Sequence, residues 1–394
     1  MKKNILTKFY IFNFLVLGTF NLAHPVTPRL INDLGLPTFM FGLFFALMSI
    51  GSYIFSPIWG SLSDFLGRKK FLVYGVIGYG FAQLGFGMSQ SAFIISAFRL
   101  LAGALSVSYV AVMMACINDL TTKENRIKSL AYLSATVAMG GAVGSIVGGL
   151  VGAQNYLHTF IFQFFCCIIL GISIQFFIPE TLVQLKDEPI KLSLNHLKFK
   201  KSSIDYNSLL GSLILTVTLL TIMTTSYNST IGFFVESDLA LPTYLNGIVL
   251  SISPLVAIFV NFFISPKVAT YFNEFKTLIF IAGASALSLF IWSISSNLFI
   301  VIPFFLIYLI VSALALPIYQ GMIAAHAKDN AGELMGIQNS ARSVGMIIGS
   351  LASGFLYDLG SRLPFILGSI TALLCFILLL NEYQNNKKNV RTNT

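Results

Sequence analysis

The sequence predicts an all-α polytopic membrane protein whose twelve transmembrane helices form two pseudo-symmetric six-helix bundles. Three observations predict it. Apolar residues make up 56% of the 394 and mean hydropathy is +0.82, beyond what a water-soluble domain of this length carries. Twelve stretches reach the roughly 20 apolar residues that a spanning helix needs. Basic residues concentrate in every second connection.

In order, the spans are expected at about 6–24, 39–58, 71–89, 93–117, 129–152, 157–178, 207–229, 246–265, 277–295, 299–322, 335–356 and 363–381. Lipid admits only helices or closed barrels, and these uninterrupted apolar runs lack the alternation of a barrel. The opening "MKKNILTKFYIFNFLVLG" has a basic start but no A-x-A-like site, and further spans follow it. It reads as an uncleaved first helix.

A net charge of +9 could suggest nucleic acid, so the placement of the bases decides. All but four of the 24 Lys and Arg residues fall at the termini or in even-numbered connections; the exceptions are Arg29, Arg99, Arg342 and Arg362. By the positive-inside rule both termini are expected in the cytoplasm. The chain then reads as a multi-pass protein of the cell membrane, with the lipid bilayer and a small-molecule substrate as partners and no nucleic acid. Cys116, Cys166, Cys167 and Cys375 lie within apolar spans without metal-ligand spacing and are expected to be packing residues.

The longest polar stretch, Glu180 to Ser208, separates six spans from six. The expected division is an N-terminal bundle at 1–185, a linker at 186–206 and a C-terminal bundle at 207–394. Sliding the chain by 205 residues lays Gly140 on Gly345, Gly144 on Gly349, Ser145 on Ser350 and Gly149 on Gly354. A parallel six-plus-six duplication is a transporter architecture, and it would work as a monomer.

The segment "GSLSDFLGRKKF", Gly60 to Phe71, holds four charges between two apolar spans. Gly60 is expected to close the second span and Gly67 to permit a turn at positive φ. Arg68, Lys69 and Lys70 anchor the loop. Asp64 gains nothing from the topology rule; it could face the positive end of a helix or serve only as a loop cap. Its counterpart at the 205 offset is Ala269, and that of Arg68 is Asn273, so the first copy has a job of its own.

This segment resembles the G-x-L-x-D-x-x-G-R-K signature of the major facilitator superfamily at Gly60, Leu62, Asp64, Gly67, Arg68 and Lys69. Three further segments are similar to signatures of its twelve-helix drug:proton antiporter branch. "FRLLAG" matches through Arg99 and Gly103. "GGAVGSIVGG" matches at Gly140, Gly144, Gly148 and Gly149, with Ser145 where a proline is expected. "NDLTTKENR" and "IPET" complete the likeness. The resemblance implies the major facilitator fold and a conformational latch in which Asp64, Arg68 and Asp119 form a charge relay, Asp64 lying at the start of the eleventh helix. It also implies a part for Arg99 in proton coupling and substrate binding.

On its own residues Arg99 is costly at depth, about 2.5–3.5 kcal/mol on insertion scales. It either faces a cavity or partner, or snorkels outward. Arg342 could bind an anionic group or pair with a backbone carbonyl. Asn21, Gln320 and Asn339 are candidates to line a cavity. The glycine stripe serves close helix packing, sealing of a pathway, or both. Every Asp and Glu, Glu236 among them, can be placed in a loop or at a helix end, so proton coupling follows from the resemblance and not from an acid at depth.

No G-x-x-x-x-G-K-[ST], G-x-S-x-G or H-E-x-x-H occurs, which excludes an ATP-driven pump and the common membrane enzymes. The reading is a secondary transporter, not an enzyme and without cofactor. It is expected to export lipophilic or drug-like compounds by alternating access, with the proton gradient as energy source. The alternatives are an exporter or facilitator of a polar metabolite such as a sugar or organic anion, and a non-transporting membrane sensor.

Overall fold

The computed structural model describes residues 2–182, 209–295, 297–325 and 331–392, so the expected linker at 186–206 lies outside the described residues. Twelve long helices follow one another: α1 Lys2–Asn21, α2 Met40–Leu66, α3 Arg68–Met88, α4 Ala92–Leu120, α5 Lys123–Val151, α6 Tyr156–Phe177, α7 Leu209–Phe233, α8 Thr243–Phe259, α9 Glu274–Ile294, α10 Leu298–Ala325, α11 Ala331–Leu359 and α12 Leu363–Thr392. Eleven candidate spans among the described residues are long and apolar enough to cross a bilayer. The exception is α11, where Gln338, Asn339 and Arg342 interrupt the apolar run.

Three expected boundaries change. The first span is broken: α1 ends at Asn21, a 3-10 turn covers His24–Val26 and a short helix Thr27–Asp33 follows. Pro25 and Pro28, which lack an N–H, are the local cause. α2 runs to Leu66, so Gly60 does not close it and Asp64 rides on its last turn. α7 passes into a π-turn, Phe234–Asp238, so the span expected at 207–229 runs over Leu209–Asp238 and Glu236 lies in its last turn, at the helix end and not in a loop beyond it, one of the two placements expected.

The described chain falls into two compact units. One holds the residues up to 182 together with Gly232–Leu255; the other holds 209 to Ile231 and the residues from Val256 onward. The expected 207–394 bundle thus differs by the end of α7 and most of α8. Close packing accounts for it: a Cβ on Gly149 of α5 would lie 2.9 Å from the Thr243 carbonyl oxygen and 3.1 Å from the Gly247 Cα.

Within the first unit α2 packs on α4, α3 on α4 and α6, and α1 on α5. Its core holds Phe9, Val16, Phe20, Val76, Tyr109 and Ile174, all at most 5% exposed. Lipid tails supply no hydrophobic drive between helices, so close backbone approach does the work. A Cβ on Gly140 would come to 2.5 Å from the Phe14 carbonyl oxygen, and those on Gly144 and Gly148 would overlap the carbonyls of Gly18 and Leu22. In the second unit α9 packs on α10 and α12. There a Cβ on Gly345 or Gly349 would come to 2.8 Å from the Thr218 or 2.9 Å from the Ile222 carbonyl oxygen. The 205-residue repeat is therefore a repeat of one contact, α1 with α5 and α7 with α11.

Candidate functional site

The turn between α2 and α3 is a built cluster. Gly67 adopts φ +93° and ψ 148°, a region essentially closed to side chains. It swings Arg68 back over the end of α2. The Arg68 guanidinium pairs with Asp64 one turn earlier, with Asp119 at 3.2 Å and with the Ser63 hydroxyl at 2.7 Å, and the residue is 9% exposed. Asp119, at the end of α4, also accepts from the Thr181 hydroxyl at 3.0 Å. Asp64, Arg68 and Asp119 are thus together, whereas a Cβ on Gly60 would meet nothing within 4 Å.

Glu180 completes the cluster. Its carboxylate accepts from the backbone N–H of Arg68 at 2.9 Å and of Lys69 at 3.1 Å, and from Thr181 and Leu182 at 3.0 and 3.1 Å. It caps the open amides of α3 from the far end of the unit's sequence, where a negative charge is favourable. Partial burial pushes this carboxyl up, but the four N–H donors outweigh it and hold it below its ordinary value. Sequence reasoning used "IPET" only as part of a likeness and missed this role, as it missed Ser63 and Thr181. In the second unit the equivalent helix, α9, is capped by its own Asn273 side chain, which accepts from the Lys276 N–H at 3.1 Å.

Arg99 forms the second centre. It is 1% exposed, so it does not snorkel. Its guanidinium carbon lies 4.8 Å from the Phe86 ring centroid and 5.9 Å from that of Phe45, and it donates to Gln83 Oε1 at 3.4 Å. Among the described residues its Nε has no hydrogen-bond partner. Gln83 in turn donates to the Tyr79 hydroxyl, which donates to the Phe20 carbonyl at 3.0 Å, while Gln163 donates to Thr19 O at 2.6 Å. A buried cation is therefore wired to carbonyls just before the break in α1, and aromatic faces take the place of a carboxylate partner.

The other expected residues do not join these centres. Asn21 donates to Leu17 O at 2.7 Å within α1. Arg342 is half-buried in α11, within electrostatic reach of Tyr319; Gln320 is half-buried and Asn339 exposed. Gly103 packs directly on the Met48 backbone, so that glycine, like Gly140, Gly144, Gly148 and Gly149, serves close approach. Gly18, the partner of Gly140 and Gly144, and Gly247, the partner of Gly149, carried no motif to mark them. The four cysteines are free.

The sequence profile of the Major Facilitator Superfamily matches residues 9–350 and again 276–393, which together span nearly the whole chain. The chain belongs to the major facilitator superfamily. It is a secondary transporter of small molecules and not an enzyme. Among facilitator relatives it is 24% identical to multidrug resistance protein 2 of Bacillus subtilis over 95% of each chain. It is 26% identical to the class H tetracycline resistance protein of Pasteurella multocida over 93% of this chain and 92% of the other. It is 23% identical to the quinolone resistance protein NorA of Staphylococcus aureus over 98% of each. Solved facilitator structures share the fold: the human organic anion transporter MFSD10, at TM-score 0.70, 19% identity and 96% and 99% coverage, and a bacterial Spinster homologue, at TM-score 0.77, 13% identity and 96% coverage of each.

Proposed function

We propose that this transporter exports small lipophilic or drug-like compounds in exchange for protons, acting as a monomer in the cytoplasmic membrane with both termini inside. The full-length likeness to proteins named for multidrug, tetracycline and quinolone resistance supports the substrate class. One geometric observation carries the mechanism: Arg68 holds two carboxylates, Asp64 and Asp119, from two different helices, while Glu180 fixes its backbone. Such a cluster is a two-state element, since its pairs can be exchanged for others when access changes.

The test is compound-induced proton movement in everted membrane vesicles, read with a pH-gradient dye and ethidium as the probe. The unaltered protein is expected to dequench the dye. Asp64→Asn removes one charge from the cluster and leaves the fold, so it should insert normally and lose at least about tenfold in rate, the equivalent of 1.4 kcal/mol. Parent-like transport in that variant would sink the latch.

A second reading, export of an organic anion, is favoured by Arg342, which is half-buried and makes no ion pair among the described residues. Competition decides between them: lipophilic cations should block efflux on the first reading and organic anions on the second.

A further inference from the structure

We propose that Glu236 is the carboxylate that takes up the coupling proton, in a site completed by Asn246, Thr243 and the Pro25 carbonyl at the break in α1. The inference deepens the proposed antiport and rests on it. All four residues belong to the first unit.

The site is assembled from three elements. Glu236 sits in the π-turn that ends the α7 span, Thr243 and Asn246 on the first turn of α8, and Pro25 in the 3-10 turn that interrupts the first span. Asn246 is fully buried; its Nδ2 donates to Pro25 O at 3.0 Å and to Glu236 Oε2 at 3.4 Å. The Thr243 hydroxyl reaches Glu236 Oε1 at 3.4 Å. Both contacts are long and come from neutral donors, longer than the 2.9–3.1 Å at which the Glu180 carboxylate holds its N–H groups.

The hydrogen-bond inventory points the same way. Three donor hydrogens, two on Nδ2 and one on Thr243, face four acceptors: Pro25 O, the two carboxylate oxygens and Asn246 Oδ1. That last oxygen is buried without a hydrogen-bond partner among the described residues, a state that native interiors avoid. A proton on Glu236 adds the missing donor hydrogen.

The charged neighbours leave Glu236 without a compensating cation. Arg29 and Asp33 stand on the short helix beside it, but the Arg29 guanidinium is committed to the Ala153 and Gln154 carbonyls, both at 2.9 Å, and its Nε lies 3.6 Å from Asp33. Asp238 lies on the same turn. His24, one residue before Pro25, stacks on Phe45 on the side of Arg99. Among the described residues no Lys or Arg pairs with Glu236.

Uptake is a simple proton transfer: a proton from solution forms an O–H bond on one carboxylate oxygen, and its release restores the anion. Ser237 and Asp238 are exposed, so solution reaches the site on that side; with the termini inside, this is the exterior. Asn246 is shared between Glu236 and the Pro25 carbonyl at the α1 break, and five residues earlier the Phe20 carbonyl, in the last turn of α1, is bonded through Tyr79 and Gln83 to Arg99. The two polar clusters thus hold α1 on either side of its end.

Two measurements on the full-length protein test this. The first is an infrared pH titration of the purified, lipid-embedded protein, read at the protonated-carboxyl stretch. A titrating band present in the parent and lost in Glu236→Gln is expected; the same band persisting in that variant would overturn the proposal. The second uses everted vesicles with labelled tetraphenylphosphonium and a pH-gradient dye. Glu236→Gln should keep downhill exchange of the probe but lose the coupled proton movement, with Glu236→Asp restoring it. Parent-like dequenching in Glu236→Gln would overturn the proposal. If the unaltered protein moves the probe without any proton movement, the antiport reading fails and the coupling role with it. The infrared titration still reports whether Glu236 binds a proton, so the two failures are distinguishable.

Discussion

Substituting Gly67 by Ala tests whether the α2–α3 turn and Glu180 act as one unit. Two costs are expected. The backbone at φ +93° and ψ 148° tolerates a Cβ only with about 1–3 kcal/mol of strain. The new Cβ would also stand 2.7 Å from Glu180 Oε2. The carboxylate can swing aside, but doing so surrenders the cap on α3. A lost cap costs about 0.5–2 kcal/mol. Glu180 is largely solvent-exposed, so screening places its share at the low end, about 0.5–1 kcal/mol. Gly67→Ala should therefore destabilise by about 1.5–4 kcal/mol, Glu180→Ala by about 0.5–1, and the double variant again by about 1.5–4 and not the additive sum of about 2–5, because the cap is lost only once. The assay is equilibrium unfolding in mixed SDS and maltoside micelles for all four proteins. A coupling energy below about 0.3 kcal/mol, the limit of additivity between independent sites, would refute the reasoning.

Glu180 also sets a pH dependence: its folded-state value lies below the ordinary one, so its stabilisation is present above about pH 4.3, the unfolded value, and is lost as pH falls through the folded value. Acid titration of stability should show this loss in the parent and a flatter profile in Glu180→Gln. Gly148→Ala forces a methyl into the Leu22 carbonyl and should cost about 1–3 kcal/mol as overpacking, read by the same micellar unfolding. Arg99→Lys keeps the charge but forfeits the planar stack on Phe86, about 0.5–2 kcal/mol. Vesicle transport should fall by up to tenfold or more while insertion is unchanged, and parent-like rates would show that charge alone suffices.

Much of the protein was legible in the chain because two of its signals are one-dimensional. Apolar runs of spanning length and alternating loop charge do not depend on which helix touches which, so the all-helical membrane fold and the twelve long helices could be read directly. The Asp64–Arg68 pair was expected only through the resemblance to the facilitator signature, because the turn at Gly67 ends one helix and starts another between them, so helical spacing could not place them together. The 205-residue offset found Gly140 with Gly345 because repeated contacts demand repeated small residues.

What the chain alone left open was every relation between distant segments. Glu180 lies 112 positions from Arg68, and nothing local says that its carboxylate will cap α3. Asn246 lies 221 positions from Pro25, so the polar site around Glu236 stayed hidden and that residue was read only as an acid in a loop or at a helix end. Arg99 was marked by its cost at depth, but the rings and the glutamine that make the cost bearable come from α2 and α3. Composition and periodicity decide that a segment becomes a helix and which way it crosses lipid, because those are properties of a segment in a solvent. Which buried polar atoms find partners is a property of packing, and in this protein only the tertiary structure decided it.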